Sequence, residues 1–366
     1  MTGAVPRTAV AAADSGSTPA LSTPALVVDL DIFEANVRAM ASMLAGTGKT
    51  LRPHVKTHRT PELARRQLGG PVVGITCATV GEAEAMAAVG LNDILVANEV
   101  VDPSKLARFV ALGHRARIAL AVDDPEPAAS LSREAVRAGV VVDVLIDVDC
   151  LLHRCGVASA GDAVRLAQAI DRSPGLHLRG IMGYEGRLRL EDDDRTGKIG
   201  RAYATLAEVR AALLAAGFPV EVVSAAGTST LREAIADATI TELQAGVYAL
   251  MEPELLNLGL PFACAAAIQG TVISRHPGRV VLDAGRRVVG MEYGPPVPVG
   301  FTAARIAISD EHATITMADP VPAIGTRLEL VPGQIRTTFN LHDHVWVSRG
   351  GRLVDRWPIT ARGSSQ

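Results

Sequence analysis

The chain has 366 residues, of which 48% are hydrophobic and 20% are charged, and its formal net charge at pH 7 is -3. This length allows one large barrel with an appendage or two ordinary domains, because single cores stop growing at roughly 250–300 residues. The balance of Lys+Arg 36 against Asp+Glu 39 argues against both a disordered chain and a basic nucleic-acid-binding surface. We therefore expect a small-molecule partner and no nucleic acid.

The first 20 residues are small, Ala-rich and turn-prone, and they lack the unbroken apolar stretch of a secretory signal. We expect residues 1–20 to be a disordered tail. No run approaches the ~18–20 apolar residues that span a bilayer, so no membrane insertion is expected. The four cysteines show no CxxC spacing, which argues against a disulfide framework and a structural zinc site. These features predict a cytoplasmic protein.

Short apolar runs alternate with segments of helical period from about residue 25 to about residue 250. Strands buried on both faces, repeated in βα units of this length, predict an α/β fold with a (β/α)8 TIM-like barrel over residues 21–258. An open doubly wound sheet is the alternative, but the chain has no Rossmann glycine fingerprint. The predicted strands begin at Ala25, Leu51, Val72, Asp93, Arg117, Val142, Leu178, Pro219 and Ile240.

The composition and the periodicity of the sequence change at about residue 260. Gly and Pro become frequent, helical period disappears, and short runs such as GTVIS, RVVLDAG and HVWVSR follow one another. This spacing predicts a mainly antiparallel β-domain over residues 259–366.

Lys56 is the most informative of four lysines, because it alone is predicted to close an apolar strand. The carboxyl ends of barrel strands face the active site, so Lys56 is expected where catalytic groups of this fold lie. A partly desolvated lysine is a nucleophilic amine suited to imine chemistry. A surface lysine is the alternative interpretation.

Other polar or small residues also fall at predicted strand ends. The segment SAAGTST, from Ser224, precedes the helical LREAIAD, and hydroxyl-bearing residues at a helix N-terminus present N–H donors to a phosphate. An ordinary helix cap explains the same pattern. The strand-end residues are Asn98, Asp123, Arg154, Tyr184, Gly227, Thr228, Gly246 and Tyr248.

Eight motifs follow one another along the chain: TPALVVDLD (23–31), RPHVKTH (52–58), DCLLHRCGV (149–157), GYEGRL (183–188), GTST (227–230), TELQAGVY (241–248), SDEH (309–312) and WPITARG (357–363). In this order they resemble the D-threonine aldolase and eukaryotic-type D-serine dehydratase family. That family belongs to the alanine-racemase-like, fold type III enzymes that use pyridoxal 5′-phosphate (PLP). The likeness covers nearly the whole chain, and RPHVKTH is its most specific element.

The resemblance implies that Lys56 carries PLP as a Schiff base and that PLP acts as the electron sink. It further implies that the leading strand joins the second domain and that the protein is a homodimer. The residues expected to bind the cofactor are His54, Lys56, Arg154, Tyr184, Ser224, Gly227, Thr228, Gly246 and Tyr248.

The family's metal motif is altered in this chain. The β-domain of the family usually carries Pro-x-His-x-Cys or Pro-x-His-x-Asp, whose His and last residue bind a divalent metal. The corresponding stretch, PGQIRTTFNLHD (332–343), places Gln334 and Arg336 at those positions. Because arginine cannot ligate a cation, we expect no metal there. Arg336 is instead expected to grip an anionic substrate group or to replace the cation electrostatically, with a surface arginine as the alternative.

Histidines of the β-domain offer further candidates. His342 and His344, with Asp343, are disfavoured as substitute ligands because NLHD is expected to form the family's ordinary strand. His312, in SDEH, is expected to be either a catalytic acid/base partner or a loop histidine.

The expected activity is that of a PLP-dependent lyase acting on a D-configured β-hydroxy amino acid, an aldolase ahead of a dehydratase, and metal-independent. The rival enzyme is a metal-independent PLP racemase or aldol-type transferase. A non-catalytic PLP-binding protein is a further alternative, although such proteins normally lack a second domain. A metal-dependent barrel hydrolase would need clustered His and Asp ligands at the strand ends, which the sequence does not provide.

Overall fold

A computed structural model describes residues 21–366, and the predicted tail at residues 1–20 lies outside the described part. The strands are β1 (Ala25–Asp29), β2 (Thr50–Leu51), β3 (Ile75–Cys77), β4 (Asp93–Val96), β5 (Arg117–Val122), β6 (Val142–Val148), β7 (Leu176–Gly183), β8 (Val222–Ala225), β9 (Glu242–Leu243), β10 (Ala266–His276), β11 (Arg279–Leu282), β12 (Val297–Pro298), β13 (Arg305–Ile308), β14 (Ala313–Thr316), β15 (Arg327–Val331), β16 (His344–Arg349) and β17 (Arg352–Pro358).

The helices are α1 (Leu30–Leu44), α2 (Pro61–Gln67), α3 (Val80–Ala87), α4 (Pro103–Ala111), α5 (Pro125–Ala138), α6 (Ala160–Asp171), α7 (Arg195–Ala215), α8 (Leu231–Ala236) and α9 (Ile335–Leu341). Short 3-10 turns cover Val55–Thr57, Leu112–His114, Thr228–Thr230, Val247–Ala249 and Pro253–Leu258. Among the helices of residues 21–366, none combines the length and the apolar composition of a transmembrane span.

The chain forms two compact units. The barrel unit comprises residues 41–56, 63–246 and 363–366, and the β unit comprises the described residues 21–40 together with 57–62 and 247–362. The predicted division after residue 258 therefore differs from the observed one at four stretches: residues 21–40, 57–62 and 247–258 group with the β unit, and residues 363–366 group with the barrel unit. Residues 21–40 join the β unit because β1 pairs with β10 and β16, as the family resemblance suggested. Residues 247–258 also group with the β unit.

The barrel unit contains eight parallel strands in the order β2-β9-β8-β7-β6-β5-β4-β3. Isolated parallel bridges from Leu51 to Val72 and from His54 to Thr76 connect the two ends of this sheet. Helices separate most consecutive strands, as a barrel of βα units requires. The predicted parallel barrel is thus confirmed. Its interior is filled by apolar side chains of successive strands, Leu95, Ala119, Ala121, Leu145, Met182 and Val222.

The strand predicted to end at Lys56 is shorter than expected. The ladder of β2 stops at Leu51, and Lys56 lies on the 3-10 turn Val55–Thr57 instead of closing a strand. Pro53 explains the difference, because proline has no N–H to donate to a strand ladder. Lys56 nevertheless follows a barrel strand on its carboxyl side.

The β unit is built on a nine-stranded sheet with the central path β13-β14-β11-β10-β1-β16-β17. The pairing of β1 with β16 is parallel, whereas the other pairings in this sheet are antiparallel. This agrees with the expected mainly antiparallel domain.

One prediction in the β unit is wrong. The segment NLHD was expected to be a strand, but Asn340 and Leu341 complete helix α9, and β16 begins only at His344. The helix begins because Gln334 caps it, its side chain accepting a hydrogen bond from the Thr337 N–H at 3.3 Å.

Candidate active site at the carboxyl ends of the barrel strands

Tyr184 follows the end of β7 and brings together several residues predicted to bind the cofactor. The Nζ atom of Lys56 lies 5.8 Å from the centroid of the Tyr184 ring. A Cβ atom built on Gly227 would lie 3.4 Å from Cε2 of the same ring. Arg154 and Tyr184 line one cavity, together with Asp147 and other residues of the barrel unit. The structure therefore brings four predicted site residues to one place.

His54 and Lys56 are held by the short segment after β2. The side chain of Lys56 is half-buried, and His54 is buried at 7% exposure. The isolated bridge between His54 and Thr76 fixes the backbone of this segment against β3. A half-buried amine on a fixed turn suits a lysine that must condense with an aldehyde.

The loop after β8 is built from small and hydroxyl-bearing residues. Gly227 precedes the 3-10 turn Thr228–Thr230, which leads directly into α8. Thr228 is buried at 4% exposure, and Gly246, which follows β9, is also buried. Because Gly227 has no side chain, the space beside the Tyr184 ring stays open. The residues of this loop thus fit the phosphate end of PLP, and Lys56 fits its aldehyde.

An acidic group lies at the carboxyl ends of β4, β5 and β6. Ligand-type atoms of Glu99, Asp123 and Cys155 lie within 4.8 Å of one another, the one such triplet of His, Cys, Asp or Glu in residues 21–366. Burial, with the charge of Glu99 next, raises the pKa of Asp147 to about 8. Burial and then a hydrogen bond to Glu99 raise the pKa of Cys155 to about 11. Asp147 therefore keeps its proton to a higher pH than an exposed aspartate does.

Two predicted cofactor residues have structural contacts of their own. Ser224 is fully buried on β8, where its hydroxyl donates to Glu242 at 2.7 Å and accepts from Gln244 at 3.0 Å. Tyr248 is fully buried in the β unit, and its ring packs on Phe262 with the centroids 5.6 Å apart. A cofactor contact by Ser224 or Tyr248 stays a prediction.

The two remaining predicted catalytic residues belong to the β unit. His312 is exposed in the turn between β13 and β14, where its carbonyl accepts from the Ser309 N–H at 2.9 Å. The guanidinium carbon of Arg336 lies 5.2 Å from the centroid of the Tyr293 ring, and Nη2 lies 3.9 Å from Oε1 of Glu252. Within the described chain, Nη2 of Arg336 is buried and makes no hydrogen bond.

The residues at the family's metal motif do not fit a metal ion. The side-chain oxygen of Gln334 is engaged as the cap of α9. Arg336 carries a positive charge and has no acceptor atom. Two of the disfavoured substitute ligands have other partners: Nε2 of His342 lies 2.9 Å from the Val288 carbonyl oxygen, and Asp343 pairs with Arg362. Burial first of all lowers the pKa of His342, which keeps its ring neutral.

Two buried acids of the barrel unit were not selected from the sequence. Glu185 follows Tyr184 directly and is buried at 1% exposure, and Asp147 lies on β6 at 6%. An acid inside an apolar strand, as in VDVLIDV, is a usable signal for Asp147. Glu185 gives no such signal, because its motif GYEGRL looks like an ordinary loop after a strand.

The fold and the site together define the class of this protein. A parallel barrel that presents a lysine beside a tyrosine and a glycine-threonine loop, combined with a β unit, is the arrangement of alanine-racemase-like, fold type III PLP enzymes. The sequence matches the alanine racemase N-terminal domain family over residues 28–252 and a putative serine dehydratase domain over residues 265–348. The chain therefore belongs to the alanine racemase N-terminal domain family. The expected class, a PLP-dependent lyase, is confirmed.

Individual relatives agree with this assignment. The chain is 37% identical to a D-threonine aldolase of Arthrobacter sp. over 356 residues, which cover 94% of each protein. It is 34% identical to the 3-hydroxy-D-aspartate aldolase of Paracoccus denitrificans strain Pd 1222, over 94% of this chain and 92% of that protein. The crystal structure of D-threonine aldolase from Filomicrobium marinum superposes with a TM-score of 0.91 at 35% identity, over 94% of this chain and 97% of that one.

Proposed function

We propose that this protein is a PLP-dependent lyase that acts on a D-configured β-hydroxy amino acid, an aldolase ahead of a dehydratase. The position of Lys56 and Gly227 beside the ring of Tyr184, with Arg154 in the same cavity as that tyrosine, is the observation that carries the proposal. The names of the two aldolase relatives support the choice of reaction.

Each residue of the barrel site has a proposed part. The Nζ atom of Lys56 binds the cofactor and can then hold a proton. The ring of Tyr184 packs against the cofactor and excludes water on that side, while Arg154 and His54 flank it. The loop at Gly227 and Thr228, with Gly246, binds the phosphate, and Ser224 supports this site. Tyr248, in the β unit, stays a predicted cofactor residue. PLP itself supplies an electron sink for the negative charge that develops on the substrate.

Metal independence is part of the proposal. A guanidinium with an unused buried donor, held over Tyr293, is suited to a substrate carboxylate. Arg336 therefore binds an anionic substrate group, or its positive charge replaces that of the divalent metal that the family's usual motif binds. His312 is proposed as an acid/base partner.

Two further expectations rest on the family likeness alone. Fold type III enzymes commonly form dimers, so a homodimer is proposed by analogy, together with a cytoplasmic location. The rival functions are a metal-independent racemase or aldol-type transferase, and a non-catalytic PLP-binding protein. The presence of a complete β unit argues against the last of these.

One preparation tests the proposal. The purified protein is examined for visible absorbance and metal content, then incubated with D-threonine or D-3-hydroxyaspartate, with and without EDTA. We expect a coloured protein that releases glycine and an aldehyde, equally well in EDTA. A keto acid with ammonia would identify the dehydratase, and an inverted enantiomer the racemase. A colourless protein that gains no absorbance from added PLP would contradict the assignment.

A further inference from the structure

Glu185 is a buried acid of the barrel unit whose contacts go beyond the residues already placed at the site. It lies directly after Tyr184 at the carboxyl end of β7 and is exposed by only 1%. A carboxyl group in such surroundings is strongly unfavourable unless hydrogen-bond donors surround it. The identity of those donors therefore shows what the residue is for.

The loop after β8 supplies one donor to Glu185. The Thr230 hydroxyl donates a hydrogen bond to Oε1, and the Tyr203 hydroxyl of α7 lies 3.5 Å from the same oxygen. Oε2 is buried and makes no hydrogen bond within the described residues. Glu185 thus connects the residue after Tyr184 to the last residue of the loop at residues 226–230.

The charge of Glu185 and the shape of the loop depend on each other. Burial raises the pKa of the Glu185 carboxyl, while the hydrogen bond from Thr230 opposes that rise. Ala226 has a φ of 70°, a left-handed conformation that a residue with a Cβ adopts at a cost of about 1 kcal/mol. Ala226 begins the loop that Glu185 holds at its other end, through Thr230.

The outer side of the same loop is held by a different residue. Arg195, at the start of α7, donates to the Ser229 carbonyl oxygen and to the Glu233 carboxylate of α8. The loop is therefore fixed from two directions, by Arg195 outside and by Glu185 inside. A binding loop fixed in this way need not reorganise when it receives an anion.

We propose that Glu185 is a positioning residue for the cofactor phosphate: it holds the loop at residues 226–230 in the shape that receives the phosphate group. This inference rests on the proposed function, since it assumes that the loop binds PLP. Thr230, the residue that Glu185 contacts, closes the turn Thr228–Thr230, so phosphate binding is assigned to this turn.

Pyridoxal, which lacks the phosphate, separates a positioning role from a general structural one. The full-length protein is freed of cofactor, and dissociation constants for PLP and pyridoxal are measured by absorbance titration for wild type, Glu185→Gln and Thr230→Val. Glu185→Gln removes the negative charge that strengthens the hydrogen bond from the Thr230 hydroxyl. We expect both variants to bind PLP about 10- to 100-fold more weakly, with pyridoxal binding unchanged.

Tyr203→Phe is the matched control, because it removes a hydrogen bond to the same carboxylate from the side of α7. It should leave the ratio of the PLP and pyridoxal dissociation constants at the wild-type value. The inference is overturned if Glu185→Gln and Thr230→Val bind PLP as wild type does, or if they lose PLP and pyridoxal equally. A wild-type protein that binds neither compound would instead overturn the proposed function, and this inference with it.

Discussion

The barrel site has kept residues that suit PLP, whereas the segment at residues 332–343 of the β unit has lost the residues with which the family usually binds a metal. In the barrel unit, Lys56, Tyr184 and Gly227 form a site that fits PLP. In the β unit, Gln334 caps a helix and Arg336 carries a positive charge, and neither side chain suits a metal ion. The comparison teaches that the cofactor site and the metal site can change independently, since they lie on separate stretches of the chain.

The largest expected effect tests whether Lys56 of the barrel site binds PLP. Lys56→Ala removes the amine that binds PLP, so we expect activity to fall by about 10³-fold or more. Borohydride reduction followed by peptide mass analysis should label Lys56 in wild type and nothing in the variant. Lys105→Ala, on helix α4, is the matched control and should retain both label and activity. A label on another lysine would contradict the claim that Lys56 of the barrel site binds PLP.

The next effect tests whether Arg336 recognises a substrate carboxylate. Losing a hydrogen bond to a charged group is worth about 1.5–3 kcal/mol, so Arg336→Ala should raise KM for D-3-hydroxyaspartate about 10- to 100-fold. KM for D-threonine, which has no side-chain carboxylate, should change little. Steady-state kinetics with both substrates measure the difference.

The controls for Arg336 separate its two proposed parts. If Arg336 replaces a cation, kcat should fall for both substrates, and Arg336→Lys should restore much of the loss. Arg356→Ala removes another arginine that lies over an aromatic ring, 5.5 Å from the centroid of Trp346, and should leave the kinetics unchanged. Wild-type kinetics in Arg336→Ala with both substrates would show that the residue is only a surface arginine.

The sequence predicted the parts of the fold whose signal is local. The run VDVLIDV predicts a strand that is buried on both faces, and this run forms β6 in the barrel. The motif RPHVKTH identified Lys56, although Pro53 ends the ladder before the lysine. Helix α9 was missed because its start depends on the capping contact of Gln334, and glutamine is not among the usual capping residues. Glu185 was missed because its burial depends on the loop after β8.

The largest expected effect on stability concerns the acidic group in the barrel. Because the pKa of Asp147 is raised to about 8 when folded, from about 4 when unfolded, the folded state holds the proton more tightly. Stability should therefore fall as pH rises from about 5 to about 8. Asp147→Asn cannot titrate, so its free energy of unfolding should decline less than that of wild type, by about 4 kcal/mol, over this window. Urea unfolding at several pH values measures this.

The exposed Asp171, the last residue of α6, provides the control for this pH dependence. Asp171→Asn should follow the wild-type curve, because its carboxyl is hydrated in the folded and unfolded states alike. Parallel curves for wild type and Asp147→Asn would show that the proton is not held at Asp147. The pH dependence of the barrel site would then need another group.

The smallest expected effect tests whether Gln334, in the altered metal motif of the β unit, has only a structural role. If Gln334 only caps α9, Gln334→Ala should lower the free energy of unfolding by about 1 kcal/mol, through loss of the hydrogen bond from the Thr337 N–H. Its catalytic activity and metal content should remain those of wild type. Gln334→Asp supplies a stronger cap and should restore the stability. Lost activity in Gln334→Ala, with the stability unchanged, would mean that the residue acts on the substrate and that this half of the site has kept a chemical role.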